Sequence, residues 1–265
     1  MRRVELSGAQ LSRVRLNEMY GQTFYYRAMA ETGVPTAMDS RRERTESARL
    51  DNFVDGAFAF AITLLIISGG SLPKDVDALE RALRGIPAFA ACFALLALFW
   101  HGHVLWRDTL RLTDRTSLLL SLLLVFFALI FVFPLHLVFA SLFNGLSDGW
   151  LSPDFGLTGT RGLQAMFIVY GVSFTCMAGT LALLYLHGVR AGAPTGRAEA
   201  ISLQLQVVRW GFFAAIGALS IVLALALPFR NSVVTGLPGF SYFLLSFTGL
   251  VMNLYKKRRA GKLPP

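Results

Sequence analysis

The feature that most constrains this chain is a predominantly apolar stretch that returns six times, at roughly 52–68, 86–106, 117–142, 162–187, 205–227 and 238–255. About 20 apolar residues cross the hydrocarbon core of a bilayer, and about 17 is the lower limit. Inside lipid every backbone N–H and C=O has to be bonded within the protein, so isolated spanning segments are helices. The expected fold is all-α, a polytopic membrane protein with six transmembrane helices per chain. Composition agrees: of 265 residues 54% are hydrophobic and 15% charged, against roughly 25% charged in soluble domains.

Between the apolar stretches the basic residues are unevenly shared. An even number of spans puts both termini on one side with the 2–3 and 4–5 loops, and that side carries twenty of the 25 Lys and Arg residues. Lys74, Arg81, Arg84, Arg161 and Arg230 are left for the other. By the positive-inside rule both termini are cytoplasmic. The same distribution explains the net charge of +9 as membrane topology, and with no aromatic platform among the basic residues it excludes a nucleic-acid partner. Three segments follow: a cytoplasmic extension over 1–45, expected to be disordered, a six-span domain over 46–257, and a basic cytoplasmic tail over 258–265. Cys92 and Cys176 both fall inside apolar stretches, where a cysteine behaves as a small hydrophobe.

Function is sought first at the head of the first span, RLDNFVDGAFAFAITLLII over 49–67. Arg49, Asp51, Phe53 and Asp55 run without a break into an apolar segment, and carboxylates at the mouth of a span are costly without partners. Asp51 and Asp55 share a helix face, whereas Arg49 is about 240° from Asp55 on a regular helix. Either the helix starts between them or each charge finds its partner on another segment, where Trp100, His103, Asp108, Asp114 and Arg115 are available at similar depth. Independent solvation of these charges is the alternative. Further along, Phe60, Leu64 and Ile67 form an apolar ridge, with Thr63 about 40° from Ile67. Such a ridge is either a packing face or the lining of a hydrophobic constriction.

Other polar residues within the spans offer little chemistry. The run FWHGH holds Trp100, His101 and His103, but the two histidines are about 200° apart on a helix and do not converge on one metal. His136 and His187 read as satisfied polar residues. No nucleophile–base spacing or phosphate-binding loop is present, so the chain is not expected to be an enzyme and no cofactor or metal is implied.

RLDNFVDG followed by AFAFAITLL resembles the RxxxFSD signature and first helix of the endosomal and lysosomal potassium channel family, transmembrane protein 175 and its bacterial homologues. FWHGHVLWR resembles the Trp and His run closing that family's second helix, and six spans with Pro134 in the third fit one family repeat over 49–255. The match falls on Arg49, Phe53 and Asp55 of the signature and on Trp100 and His103 of the second helix. Val54 departs from it, since the family has Ser there.

What the resemblance implies is specific. The signature residues with Trp100 and His103 lock the first helix in place and do not touch the ion. First helices of a homotetramer line a pore permeable to potassium and other monovalent cations, closed by large apolar side chains at positions matching Phe60, Leu64 and Ile67, with a threonine nearby that matches Thr63. A passive leak channel in the bacterial plasma membrane is expected, and the chain has no TVGYG filter, in keeping with that different pore. The alternative of another class is a non-conducting membrane scaffold or partner-binding subunit, in which Phe60 fills the axis permanently.

Overall fold

A computed structural model describes residues 37–69, 73–110, 112, 114–152, 159–191, 197–227 and 232–260, in two compact units divided between Arg49 and Leu50. Regular structure among the described residues is helical throughout: α1 (Ala37–Ser68), α2 (Val76–Arg84), α3 (Ile86–Leu110), α4 (Arg115–Leu146), α5 (Thr160–Arg190), α6 (Arg197–Ala226), α7 (Ser232–Phe240), a 3₁₀ segment (Ser241–Phe247) and α8 (Thr248–Ala260). Six stretches are long and apolar enough to span a membrane: Ala48–Ser68, Ile86–Leu110, Arg115–Leu146, Arg161–Arg190, Glu199–Ala226 and Gly236–Lys257. These coincide with the six expected from sequence.

Three features differ from the sequence reading. Helix α1 begins at Ala37, within the segment expected to be disordered; residues 1–36 lie outside the described residues, as do 261–265 of the tail. Arg49 and Asp55 therefore sit on one helix, and no helix start separates them. The loop after the first span contains α2, a nine-residue helix started by Asp75, whose carboxylate accepts from the Ala78 amide at 2.7 Å. Val76, Leu79 and Leu83 are exposed along one side of it, the pattern of a helix lying at a membrane surface. The sixth span is not one regular helix: an α-helix containing Pro238 gives way to the 3₁₀ segment. The Pro238 carbonyl accepts from Ser220 Oγ at 3.0 Å and Ser241 Oγ at 2.7 Å, so side chains satisfy a backbone group at this change of helix type.

The core of the second unit is aromatic. Phe99 of α3, Phe131 of α4, Phe174 of α5 and Trp210 of α6 are fully buried, and the Phe99 ring lies 5.5–6.1 Å from the other three. Edge-to-face and tilted pairs of this kind add about 0.5–1.5 kcal/mol each beyond area burial. Helices α5 and α6 approach closely where both carry glycine: a Cβ on Gly171 would stand 2.7 Å from Ile221 Cγ1 and 3.2 Å from the Gly217 carbonyl oxygen. Helix α1 joins this core through Val54, Phe58, Ala61 and Leu65, all buried and spaced four, three and four apart along one helix face.

Candidate functional site

One face of α1 is spent on the core, and the opposite face carries the residues of interest. On a 3.6-residue helix, Gly56, Ala59 and Thr63 lie across from Phe58, Ala61 and Leu65, and all three are exposed. Phe60, 55% exposed, and Ile67, 64% exposed, flank the Thr63 strip on one side, with Ile66 on the other. Leu64 is at the margin, half-buried against the core. The Thr63 hydroxyl donates to the Ala59 carbonyl at 3.1 Å, which leaves a hydroxyl lone pair directed off the helix. Side chains of this size turned away from their own bundle meet lipid or another protein surface.

At the head of α1 two polar rungs reach α3. Trp100 Nε1 donates to Asp55 Oδ1 at 2.8 Å. Arg107 Nε donates to Asp51 Oδ1 at 2.6 Å and Nη2 to Oδ2 at 3.4 Å, while Nη1 donates to the Leu112 carbonyl. The Arg107 side chain is 5% exposed and Asp51 40%, and the guanidinium lies over the Trp106 ring at 5.6 Å. A cation buried to this degree is stable only with its charge partner and hydrogen bonds in place.

The remaining signature positions behave differently. Arg49 and Phe53 are exposed. His103 is buried and turned away from Asp55: its Nε2 lies 3.0 Å from Ser121 Oγ of α4, and its ring packs on Trp106 at 5.6 Å. Val54, where the family has Ser, is fully buried on the core face and fills that place with a branched aliphatic group. His101 is exposed, so the two histidines of FWHGH point apart. The structure thus joins Asp55 to Trp100, sends His103 to Ser121, and adds Asp51 and Arg107.

Sequence reasoning counted Arg107 only as a juxtamembrane charge. A signal was available: Asp51 and Asp55 are four apart, Trp100 and Arg107 seven apart, and both spacings return to nearly the same helix face. Two antiparallel helices with such pairs meet rung for rung.

A second tie holds the loop at the same end. Asp114 caps α4, accepting from the Thr116 and Ser117 amides at 3.1 and 3.4 Å and from Ser117 Oγ at 2.6 Å. His187 Nε2 of α5 is 2.8 Å from Oδ2, the oxygen that also takes the two amides. Partial burial alone would raise the Asp114 carboxyl, but the Ser117 bonds and the neighbouring His187 outweigh that and hold it below its ordinary value.

The family model for the endosomal/lysosomal potassium channel TMEM175 matches residues 49–134, a stretch that starts at Arg49 within α1, takes in both rungs and ends at Pro134 within α4. A potassium channel of Marivirga tractuosa is 27% identical over 225 residues, covering 82% of this chain and 91% of the relative. The fold matches a crystal structure of the potassium channel MtTMEM175, a threonine-to-alanine variant bound to a nanobody–MBP fusion protein. The TM-score is 0.66 at 24% identity, over 81% of this chain and 94% of that one. The chain is an integral membrane protein that shares the fold of a TMEM175 channel and matches the TMEM175 family model over residues 49–134.

Proposed function

We propose that this protein is a potassium-permeable cation channel of the passive leak type, whose pore is lined by α1 from several copies of the chain. It is not an enzyme, as its family consists of channels. The observation that carries the reading is the outward face of α1. Phe60 and Ile67 project from a helix whose opposite face is engaged with its own core, and Thr63 lies beside them, at a level along the axis between the two. Four such faces around a closed symmetry axis bury these side chains against each other. Phe60, Leu64 and Ile67 then form stacked apolar rings. Rings of this kind expel water and stop ions when narrow, and conduct when they widen or turn aside. Thr63 supplies polar oxygens at the one level where the lining is not hydrocarbon.

The signature residues act structurally in this account, and no cofactor is needed. The basic end of the bundle faces the cytoplasm of a bacterial plasma membrane, with both termini there. Potassium flux into liposomes containing the purified chain tests the reading, with an equal sodium gradient as comparison. Flux favouring potassium is expected. Verified insertion with neither cation moving, in the wild type and in a variant with the Phe60 ring removed, would instead favour a non-conducting scaffold.

A further inference from the structure

Helix α1 is held differently from the other spans. Helices α5 and α6 lie alongside each other through facing glycines, and among the described residues no helix brings its backbone alongside α1 in this way. Between α1 and α3, beyond the Asp55–Trp100 rung, a groove of about 320 Å³ opens, lined by Phe58 and Ile62 from one helix and Phe93 and Leu96 from the other. The polar rungs are therefore the directional ties between α1 and α3, added to the apolar packing of Val54, Phe58, Ala61 and Leu65 on the core.

Of the two rungs, one is charged, and its guanidinium is buried. The Arg107 guanidinium has the planar fork that fits a carboxylate, and every side of it is fixed. Asp51 takes Nε and Nη2, the Leu112 carbonyl takes Nη1, and the Trp106 ring covers one face. Trp106 is itself fully buried and donates through Nε1 to the Leu184 carbonyl of α5 at 3.0 Å. A continuous path of fixed groups thus runs from α5 through Trp106 and Arg107 to Asp51.

Resting on the channel reading above, we propose that Arg107 is the positioning residue for the pore-lining helix: through Asp51 it sets the inclination and rotation of α1, and so the placement of Phe60, Thr63 and Ile67. It does not touch the ion. The leverage is large. Ile67 is about 24 Å along the helix from Asp51 at 1.5 Å per residue, so a tilt of about 5° at the rung displaces it by about 2 Å. A shift of that size is comparable to the difference between a closed and a hydrated apolar ring.

The test uses the full chain with Asp51→Asn, Arg107→Lys, Arg107→Met and the double variant Asp51→Asn/Arg107→Met. Two quantities are read: hydrogen–deuterium exchange of the 50–69 peptide against peptides from α5 and α6, and potassium and sodium flux per inserted chain. Each single variant is expected to speed exchange in 50–69 by about fivefold or more, with α5 and α6 unchanged. Each is also expected to alter flux, or the potassium-to-sodium ratio, by about threefold or more. The double variant should change no more than the larger single one, because both act on one contact. Should Asp51→Asn fail to fold for want of a partner for the guanidinium, Arg107→Met removes that charge and carries the test with the double variant. Unchanged 50–69 exchange, exchange raised equally in every helix, or effects that multiply in the double variant would overturn the proposal. A wild type that moves no cation, with the exchange result as expected, would refute the channel reading and leave Arg107 as the residue that positions α1.

Discussion

Phe60→Ala is expected to raise potassium flux through reconstituted protein by about tenfold or more, and to weaken its closure, because on the proposed reading it removes the largest ring of an apolar constriction. The fold is expected to survive the change. Phe60 is more than half exposed in the single chain and contributes nothing to the cluster formed by Val54, Phe58, Ala61 and Leu65, and substitutions at exposed sites typically shift stability by no more than about 0.5 kcal/mol. Loss of packing between copies adds to this in an assembled channel, so the amount of inserted protein has to be measured alongside flux. Phe58→Ala, two residues away, is the matched control. Phe58 is buried, and truncating a buried Phe removes about 3–5 kcal/mol of stability. Less folded protein, with no gain in flux per inserted chain, is expected there. Equal flux gains from the two variants would mean that the face of α1 is irrelevant to permeation.

Gly102→Ala lowers the stability of the bundle, by about 1–3 kcal/mol if neighbouring side chains give way and by more if they do not. A Cβ at this position would stand 2.3 Å from Cζ2 of Trp210 and within 3.1 Å of two more atoms of the same ring. The ring has no free direction in which to move. Trp210 is fully buried, with Phe99 at 5.5 Å and Phe213 at 5.3 Å. The Gly102 carbonyl also accepts the Tyr185 hydroxyl at 2.9 Å, so a shift of α3 to relieve the clash loosens a second buried contact. Thermal unfolding in detergent checks this: a marked fall in the midpoint for Gly102→Ala is expected, partly restored by Gly102→Ala/Trp210→Phe. An unchanged midpoint would show that α3 and α6 are not packed as described.

Gly102 illustrates how much of this protein could be read in advance. The six spans were legible because a bilayer imposes length and apolarity on a segment whatever its neighbours, and periodicity along α1 placed Phe60, Thr63 and Ile67 on adjoining positions. The glycine in FWHGH carried no such mark. Its meaning lies in Trp210, more than a hundred positions away, and a contact across three helices has no local signature. The α2 helix was legible and passed over: Asp75 as cap, apolar residues at 76, 79 and 83, and Glu80 four before Arg84 form a short amphipathic helix pattern.

At the head of α1 the sequence reading was right that the carboxylates need partners, and only half right about which. Trp100 meets Asp55. His103 is grouped with Asp55 by depth and by the family resemblance, yet rotation along α3 turns it inward to Ser121, which lies on a helix whose facing side could not be ranked without the fold. Arg107 was masked by its chemistry: most arginines at span ends are solvated topology markers, and burial is what separates this one from the exposed Arg115 nearby.

The central claim, that the outward face of α1 lines the ion path, is tested most directly by placing single cysteines along it. In a background with Cys92 and Cys176 replaced by alanine, potassium flux is followed while a charged, water-soluble thiol reagent is added. Modification is expected to block flux for Thr63→Cys and Ile67→Cys, and for Phe60→Cys once that ring is gone, and to leave flux unchanged for Phe58→Cys and Leu65→Cys. Block at the core-facing pair, or flux that none of the outward cysteines affects, would contradict the account and move the pathway away from α1.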